Sequence, residues 1–351
     1  MKKIIFVAQS LRKGGAERVV SLLSQQFKKM GYDVKIILWA NEVEYSYGGE
    51  IIDINFPASK SYLIKALRLF QRIKKLKQIF KQEKPDFIFS FMESCNFASI
   101  LTGYNVVVSI RNNPNKKHNW YQKKLIKFLY NFSNVVKVVA VSKTIENILN
   151  NQYRIRNTKT ILNPIVLDET YKIKEDLNKF KPFILSVGRL NPQKNFTMLI
   201  ESFYNSRAKD DFRLLIIGEG KERNNLELLI DNLKLNDKVF LLGQKDNIKD
   251  YYLQCDIYVL SSKFEGFPNV LIEALSNSCA CISTDCPTGP SEIIKNNENG
   301  ILVENENQEA LSEAIDELYF NKELKEKFRQ NAQKSIKHLE IEKIAKEWLE
   351  L

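Results

Sequence analysis

Short apolar runs rich in β-branched residues alternate along the chain with longer segments in which apolar residues recur every three or four positions. The short runs predict buried strands, and the helical spacing between them predicts amphipathic helices. Strands separated by helices are typical of parallel sheets in α/β proteins. The pattern therefore predicts an α/β fold with strands at 2–9, 85–91, 105–110, 135–141, 183–188, 212–218, 239–242, 257–260 and 280–284, and a turn and strand at 31–39.

The length of the chain predicts more than one domain. A chain of 351 residues exceeds one ordinary hydrophobic core and suggests two domains of roughly 150 to 170 residues each. Asn163 and Pro164 follow the last apolar run of the first half, and an Asn-Pro pair disfavours helix and fits a hinge. We therefore place the domains at residues 1–165 and 166–334, followed by a C-terminal helix at 335–351.

The stretch 261–273 carries the strongest chemical signal. It follows a strand-like apolar run, and Gly266 and Pro268 fit a tight turn before a helix, where a proline costs no hydrogen bond. Glu265 is thus expected at the carboxyl end of a strand, and Glu273 about two turns along the helix. Ligands of open α/β sheets bind at such strand ends, and helix N-termini attract anions. The stretch therefore fits a diphosphate site with carboxylates for a sugar and a ribose, although two Glu eight residues apart also occur by chance in a chain with 42 acidic residues.

Three segments resemble one known family. The sequence Glu265-Gly266-Phe267-Pro268-Asn269-Val270-Leu271-Ile272-Glu273 resembles the signature, Glu, seven residues, Glu, of the retaining glycosyltransferases of GT-B architecture, glycosyltransferase family 4. Residues 186–195 and 239–244 resemble two further family elements at the expected places. The resemblance covers nearly the whole chain. It implies the GT-B fold: two Rossmann-like domains facing a cleft, with the C-terminal helix crossing back onto the first domain.

The resemblance also implies site residues. A nucleotide sugar would bind the second domain and an acceptor the first, and Arg189 and Lys194 suit a diphosphate because Arg offers a planar fork and Lys a point charge. The catalytic residues implied are Glu265, Arg189 and Lys194. The nucleotide-sugar-binding residues implied are Gly14, Gly15, Arg189, Lys194, Gly243, Glu265, Gly266, Phe267, Pro268, Asn269 and Glu273.

The chain departs from the family pattern after the strand at 105–110. Many members place a His there, at the position of Arg111. Members that act on N-acetylhexosamines or build bacterial surface glycans carry Arg-Asn-x-Pro, as this chain does, so Arg111 is a candidate for the acceptor or sugar side. His118, seven residues further on, is the alternative.

The mechanism implied is transfer with retention from a nucleotide sugar, with UDP as the expected nucleotide. No metal ion and no cofactor are expected, since the chain has no Asp-x-Asp near a predicted strand end and no His cluster. The departing phosphate oxygen would take the acceptor proton, and a covalent route through Glu265 is less favoured. The expected acceptor is a lipid-linked intermediate of bacterial polysaccharide, lipopolysaccharide or glycoprotein-glycan synthesis. The alternatives are a nucleotide-sugar epimerase of the same architecture and a non-catalytic nucleotide-binding, membrane-associated protein.

Cysteine content and hydropathy bear on location. Five Cys without a Cys-x-x-Cys pair predict neither a disulfide framework nor a zinc site and favour a reducing compartment. The apolar run after Met1 is too short for a signal peptide, and no stretch has the apolar length of a spanning helix. The expected location is cytoplasmic, peripheral on the inner face of the cytoplasmic membrane.

Charge is distributed unevenly. Residues 1–165 hold 28 Lys and Arg against 10 Asp and Glu, a net +18, whereas the remainder holds 25 against 32, a net −7. Residues 59–84 combine nine basic residues and one Glu with apolar residues at helical spacing. We predict that this stretch is a helix that contacts an anionic membrane surface. The alternative is a surface helix whose apolar stripe packs on its own sheet. Nucleic acid is not expected as a partner, since aromatic residues are not interleaved as stacking platforms.

Overall fold

The computed structural model describes residues 1–57, 62–168 and 170–351. Its internal contacts divide the chain into a first unit, residues 1–166 and 339–351, and a second unit, residues 167–338. Each unit has one parallel sheet with helices between successive strands, which confirms the predicted α/β class.

The sheet of the first unit has the strand order β3-β2-β1-β4-β5-β6-β7 among the described residues. The sequence predicted the five inner strands to within about two residues at each end. It missed β3 and β7, which form the two edges and contain no fully buried residue, so no continuous apolar run marks them. The strands are β1 Lys3–Ala8, β2 Asp33–Leu38, β3 Glu50–Asp53, β4 Phe87–Phe91, β5 Val106–Ile110, β6 Val135–Ala140 and β7 Thr158–Thr160.

Helices connect these strands in chain order. The longest is α2, which lies within the basic stretch predicted at 59–84; residues 58–61 lie outside the described part of the chain. The helices are α1 Gly15–Lys29, α2 Tyr62–Glu83, α3 Glu93–Ile100, α4 Pro114–Lys117, α5 Trp120–Leu129 and α6 Lys143–Asn151.

The second unit has the strand order β10-β9-β8-β11-β12-β13. All of its strands fall on apolar runs of the sequence. They are β8 Phe183–Val187, β9 Arg213–Ile217, β10 Val239–Leu241, β11 Ile257–Leu260, β12 Cys281–Thr284 and β13 Gly300–Val303. The helices are α7 Phe196–Asn205, α8 Arg223–Asn232, α9 Ile248–Gln254, α10 Asn269–Ser276, α11 Pro290–Ile293, α12 Gln308–Phe320 and α13 Lys322–Ser335.

The C-terminal segment differs from the single helix predicted at 335–351. Helix α13 ends at Ser335, and the last helix, α14, spans only Ile341–Leu349. Between them the backbone pairs with residue 165: the Ile165 N–H donates to the Leu339 carbonyl at 2.8 Å, and the Ile341 N–H donates to the Ile165 carbonyl at 3.0 Å. This short extended pairing breaks the helix and places α14 within the first unit.

Helix α14 packs its buried face into the core of the first unit. The Trp348 ring is fully buried, with its centroid 5.1 Å from that of Phe89 and 5.3 Å from that of Phe91. Both phenylalanines lie on β4, so the last helix covers the middle of the sheet.

Candidate functional site

The candidate site of the second unit lies where the order of its sheet reverses. Successive strands run from β8 outward to β10, and the chain then returns to β11, which pairs with β8. Arg189 and Lys194 follow β8, and Glu265 follows β11. The carboxyl ends of two such adjacent strands form the crevice in which α/β proteins bind ligands. The two motifs of the sequence therefore meet at the carboxyl ends of the two central strands of one sheet.

A buried ion pair joins the two motifs. The Lys194 Nζ atom lies 2.6 Å from Glu265 Oε1, and the Ser262 hydroxyl donates to the same oxygen at 2.7 Å. The Lys194 and Glu265 side chains are only 15 % and 10 % exposed. Both contacts use Oε1. The second carboxylate oxygen of Glu265, Oε2, has no hydrogen-bond partner among the described residues and is available to a ligand.

The loops that carry this pair are also tied through the backbone. The Gln193 amide donates to the Phe264 carbonyl at 2.9 Å, and the Lys263 N–H donates to the Gln193 carbonyl at 2.8 Å. Gly188 allows the stem of Lys194 to cross it, because a Cβ at this position would lie 3.0 Å from Lys194 Cε. The approach of Lys194 to Glu265 is thus built into both loops.

The turn after Glu265 rests on a neighbouring loop that the sequence analysis did not identify. The Thr288 hydroxyl donates to the Glu265 carbonyl. Gly289 has a φ of +97°, and a Cβ there would lie 2.8 Å from Pro268 Cδ and 2.9 Å from the Gly266 carbonyl oxygen. The sequence Thr288-Gly289-Pro290 is a turn signal that could have drawn attention to this loop.

Glu273 lies on α10, whose first residue is Asn269. It is therefore one turn into the helix, not two as predicted, because the turn before the helix takes up the residues from Gly266 to Pro268. The Tyr252 hydroxyl, which the sequence analysis missed, donates to Glu273 Oε2 at 3.2 Å and to the Val270 carbonyl at 3.3 Å. The carboxylate is half-buried and oriented by this contact.

The other residues of the second unit that were predicted to bind the nucleotide sugar differ in exposure. Arg189 is exposed and makes no hydrogen bond or ion pair with any residue that the structure describes. Phe267 and Pro268 are buried, whereas Asn269 is half-buried. Gly243 has a φ of +70°, and its carbonyl accepts a hydrogen bond from the Gly218 N–H at 2.9 Å.

In the first unit, the order of the sheet reverses between β1 and β4. Gly14, after β1, is the N-cap of α1, and Gly15 is the first residue of that helix. The Glu17 carboxylate folds back onto the helix start, where a Cβ added to Gly14 would lie 2.4 Å from Glu17 Oε2. Gly14 and Gly15, which the resemblance implies as nucleotide-sugar-binding residues, therefore already have an acidic side chain beside them.

Arg111 directly follows β5, beside β4. Its guanidinium lies over the Phe91 ring at 5.5 Å and donates to the Ser109 hydroxyl at 3.2 Å and to the Asn163 side-chain oxygen. Burial lowers the pKa of Arg111, and the nearby Glu17 carboxylate opposes this change. A desolvated cation of this kind gains from an anionic ligand.

His118 is buried, with Nε2 3.0 Å from Glu93 Oε1. Glu93 begins α3 directly after β4, and the sequence analysis missed it although it is an acid at a strand end. His118 thus has a carboxylate beside it, although its buried Nε2 makes no hydrogen bond with the described residues, whereas Arg111 donates to neutral oxygens.

The basic stretch predicted at 59–84 divides into two parts. Leu76, Ile79 and Phe80 are buried, so the stripe packs on the protein in its second half, whereas Leu67 and Phe70 are exposed. Arg72 is also buried and donates to the Phe56 carbonyl, so it is not a surface charge as predicted. Lys60 lies outside the described residues, and Lys74, Lys77 and Lys81 are exposed.

Residues 1–57, 62–168 and 170–351 contain neither a cluster of metal ligands nor a membrane-spanning helix. No three His, Cys, Asp or Glu side chains come together as a group that could hold a metal ion. No helix in these ranges has both the length and the apolar character required to cross a bilayer.

Two family models match adjacent parts of the chain. The model described as Glycosyltransferase Family 4 matches residues 13–169, and the one described as Glycosyl transferases group 1 matches residues 168–335. Together they extend over both units.

Curated relatives match over nearly their full length. The chain is 29 % identical, over 99 % of both chains, to N-acetylgalactosamine-N,N'-diacetylbacillosaminyl-diphospho-undecaprenol 4-alpha-N-acetylgalactosaminyltransferase of Campylobacter jejuni. It is 26 % identical, over 100 % of its own length and 98 % of the relative, to GalNAc-alpha-(1->4)-GalNAc-alpha-(1->3)-diNAcBac-PP-undecaprenol alpha-1,4-N-acetyl-D-galactosaminyltransferase of the same organism.

Among solved structures, Anabaena Alr3699/HepE in complex with UDP-glucose has a TM-score of 0.82 and 17 % sequence identity, with 100 % of this chain and 99 % of that chain covered. This likeness concerns the fold, and it confirms the predicted GT-B class.

Proposed function

Because the chain belongs to the family 4 glycosyltransferases, we propose that it transfers a sugar from a UDP-linked donor to a polyprenyl-diphosphate-linked glycan of bacterial glycan synthesis, with retention at the anomeric carbon. The observation that carries this proposal is the contact of Lys194 with Glu265 at the reversal point of the second sheet. The names of the two Campylobacter jejuni relatives specify undecaprenyl-diphosphate-linked acceptors and N-acetylgalactosamine transfer, which supports this acceptor class and an N-acetylhexosamine donor. The UDP-glucose complex of the Anabaena structure supports UDP as the nucleotide.

The donor would bind between the loops after β8 and β11. Arg189 and Lys194 would bind the diphosphate, Glu265 Oε2 the sugar hydroxyls and Glu273 the ribose hydroxyls. The residues from Gly266 to Asn269 and Gly243 would approach the nucleotide sugar through their backbone.

The reaction would break the bond between the anomeric carbon and the phosphate oxygen, and the electron pair would stay on the departing nucleoside diphosphate. The acceptor hydroxyl oxygen forms the new bond to the anomeric carbon, on the side of the sugar ring from which the phosphate departs. The proton of this hydroxyl goes to the departing phosphate oxygen. Arg189 and Lys194 stabilise the charge that develops on the leaving group, which is the part of the transition state where fixed charges contribute most. They therefore take the place of a metal ion in this proposal. Glu265 serves binding, because its carboxylate is already held by Lys194 and Ser262.

The acceptor would bind the first unit. Arg111, a desolvated cation held by neutral oxygens, is our candidate for its diphosphate or sugar. His118 is the weaker candidate because it is buried and already lies beside the Glu93 carboxylate, with Nε2 3.0 Å from Oε1. We further propose that the exposed lysines of α2, Lys74, Lys77 and Lys81, draw this unit to the anionic inner face of the cytoplasmic membrane.

The direct test is transfer by the purified protein. It is incubated with UDP-linked N-acetylhexosamines and hexoses and with a water-soluble, short-chain polyprenyl-diphosphate-linked sugar. We expect one donor to give a disaccharide whose anomeric coupling constant by NMR matches the α configuration of the donor. An inverted product would contradict retention. An epimerised UDP-sugar would indicate a nucleotide-sugar epimerase. Binding of the donor without any turnover would indicate the non-catalytic nucleotide-binding protein.

A further inference from the structure

The outward face of α5 carries large apolar side chains where a surface helix normally carries polar ones. Trp120, Leu125 and Phe128 are 70 %, 41 % and 66 % exposed, and Tyr121 beside them is 37 % exposed. On the opposite side of the same helix, Ile126 and Leu129 are buried in the first unit. The helix is therefore apolar both toward the core and toward the outside. Neither the donor site nor the acceptor candidates use the outward face.

Lysines surround this face. Lys124 and Lys127 of α5 are exposed, as are Lys116 and Lys117 just before it, and Lys124 Nζ lies 5.0 Å from the centroid of the Trp120 ring. Residues 94–145 contain no Asp or Glu at all. The outward face thus combines exposed apolar area with positive charge and has no acid in its own segment to offset that charge.

The same helical layer contains α2, the helix assigned above to membrane contact. The short helix α3 contacts both α2 and α5, and most of its residues are buried. Near its start, α2 likewise exposes Leu67 and Phe70, by 60 % and 76 %, with Lys74 one turn further on. Two helices that contact α3 therefore repeat one combination of apolar and basic side chains.

We propose that the outward face of α5 inserts into the headgroup region of an anionic bilayer, with Trp120 and Phe128 as anchors and the lysines at the lipid phosphates. The proposal deepens the proposed function, on which it rests, because a lipid-linked acceptor lies in such a bilayer. Trp and Tyr favour the membrane interface, and Lys beside anionic lipid adds to the attraction. The cores of protein interfaces are instead depleted of Lys, which argues against a protein partner.

The tryptophans of this chain provide a direct probe. The chain has three Trp, of which Trp39 and Trp348 are 1 % and 0 % exposed and Trp120 is 70 % exposed. Vesicles of phosphatidylglycerol and phosphatidylcholine are added to the full chain at low salt. We expect the Trp emission to shift to the blue, brominated acyl chains to quench it, and both responses to disappear in Trp120→Phe.

A matched pair of double variants measures the contribution of the face. Trp120→Ala/Phe128→Ala removes both anchors, and Leu228→Ala/Phe320→Ala removes two side chains of the second unit with similar exposure, 62 % and 67 %. We expect the first variant to lower the affinity for these vesicles at least tenfold in co-sedimentation and the second to change it less than twofold. The first variant should keep transfer to the water-soluble acceptor and lose transfer to the same acceptor embedded in vesicles.

Three results would overturn the inference. The emission of Trp120 could stay unchanged while the protein sediments with vesicles, the two double variants could lose affinity equally, or the face could bury itself in a dimer that forms without lipid. None of these measurements needs a sugar donor. A failed inference is therefore distinguishable from a failed proposed function, which is judged by transfer to the soluble acceptor alone.

Discussion

At the scale of single residues, Lys194 and Glu265 depend on each other. Glu265 is only 7 % exposed, and its counter-ion is Lys194, whose Nζ lies 2.6 Å from Glu265 Oε1. The sequence predicted each residue as a ligand group, because each belongs to a recognisable motif. It could not predict their contact, or the roles of Ser262 and Tyr252 in holding Glu265 and Glu273, because hydroxyl groups occur throughout the chain and their partners are set by the packing of distant segments.

The first prediction concerns this ion pair. Lys194→Ala should lower the free energy of unfolding by about 3 kcal/mol, because removing one partner leaves a buried charge without its counter-ion. Lys194→Met/Glu265→Gln should lose less than half as much, since the neutral pair has a similar volume and no uncompensated charge. Urea unfolding followed by circular dichroism measures both. A double variant as unstable as Lys194→Ala would contradict this explanation.

At the scale of elements, burial decided which predictions were correct. Inner strands were predicted well because both of their faces are covered, and this gives continuous apolar runs. The edge strands β3 and β7 were missed for lack of such runs. The segment 335–351 was predicted as one helix because its apolar residues recur at helical spacing from Ile336 to Trp348. Only the pairing with residue 165, distant in sequence, interrupts it.

The C-terminal helix should contribute strongly to the stability of the first unit. Trp348→Ala should cost about 3–5 kcal/mol, because it leaves a large cavity beside Phe89 and Phe91. The control is Trp120→Ala, which removes the same side chain from an exposed position and should change stability by less than about 0.5 kcal/mol. Equal midpoints of thermal unfolding for the two variants would show that α14 contributes little.

The end of α2 should give the first unit part of its acid sensitivity. Glu83 accepts from Lys3 Nζ at 2.7 Å and from Lys35 Nζ at 2.9 Å, and these contacts hold the pKa of Glu83 below its usual range. A carboxyl whose pKa is lower in the folded state contributes stability above its unfolded pKa and loses it as pH falls through the folded value. Glu83→Gln should therefore lower the free energy of unfolding by about 1 kcal/mol at pH 7 and leave it unchanged at a pH low enough to protonate Glu83 in the folded protein. Urea unfolding repeated across this pH range measures both values. A loss independent of pH would mean that the lysine contacts do not act through charge.

At the scale of the whole molecule, both units have a parallel sheet whose strand order reverses once, and the candidate ligand groups follow the strands at each reversal. The sequence could predict this organisation because the family motifs lie directly after strands. It could also locate the excess of positive charge in the first unit. It did not identify the outward face of α5, because exposed and buried apolar residues look the same in a sequence and only the packing of α5 distinguishes Phe128 from Leu129.

Turnover should not need a divalent cation. We expect transfer rates to stay within twofold in excess chelator, because Arg189 and Lys194 stand where a metal would otherwise offset the diphosphate charge. The rate is measured on a preparation freed of metal by dialysis, with and without added magnesium or manganese. Activity lost in chelator and restored by either ion would contradict the proposal.

The central claim is that the second unit binds the nucleotide sugar between its two motifs, and calorimetric titration of UDP and the UDP-linked donor tests it most directly. Lys194→Ala and Glu273→Ala should each weaken binding at least tenfold, about 1.4 kcal/mol. Lys249→Ala, which removes a lysine of the same unit that pairs with Asp168 at 3.1 Å, should leave the affinity unchanged. Unchanged donor affinity in folded Lys194→Ala or Glu273→Ala protein would contradict this placement of the site.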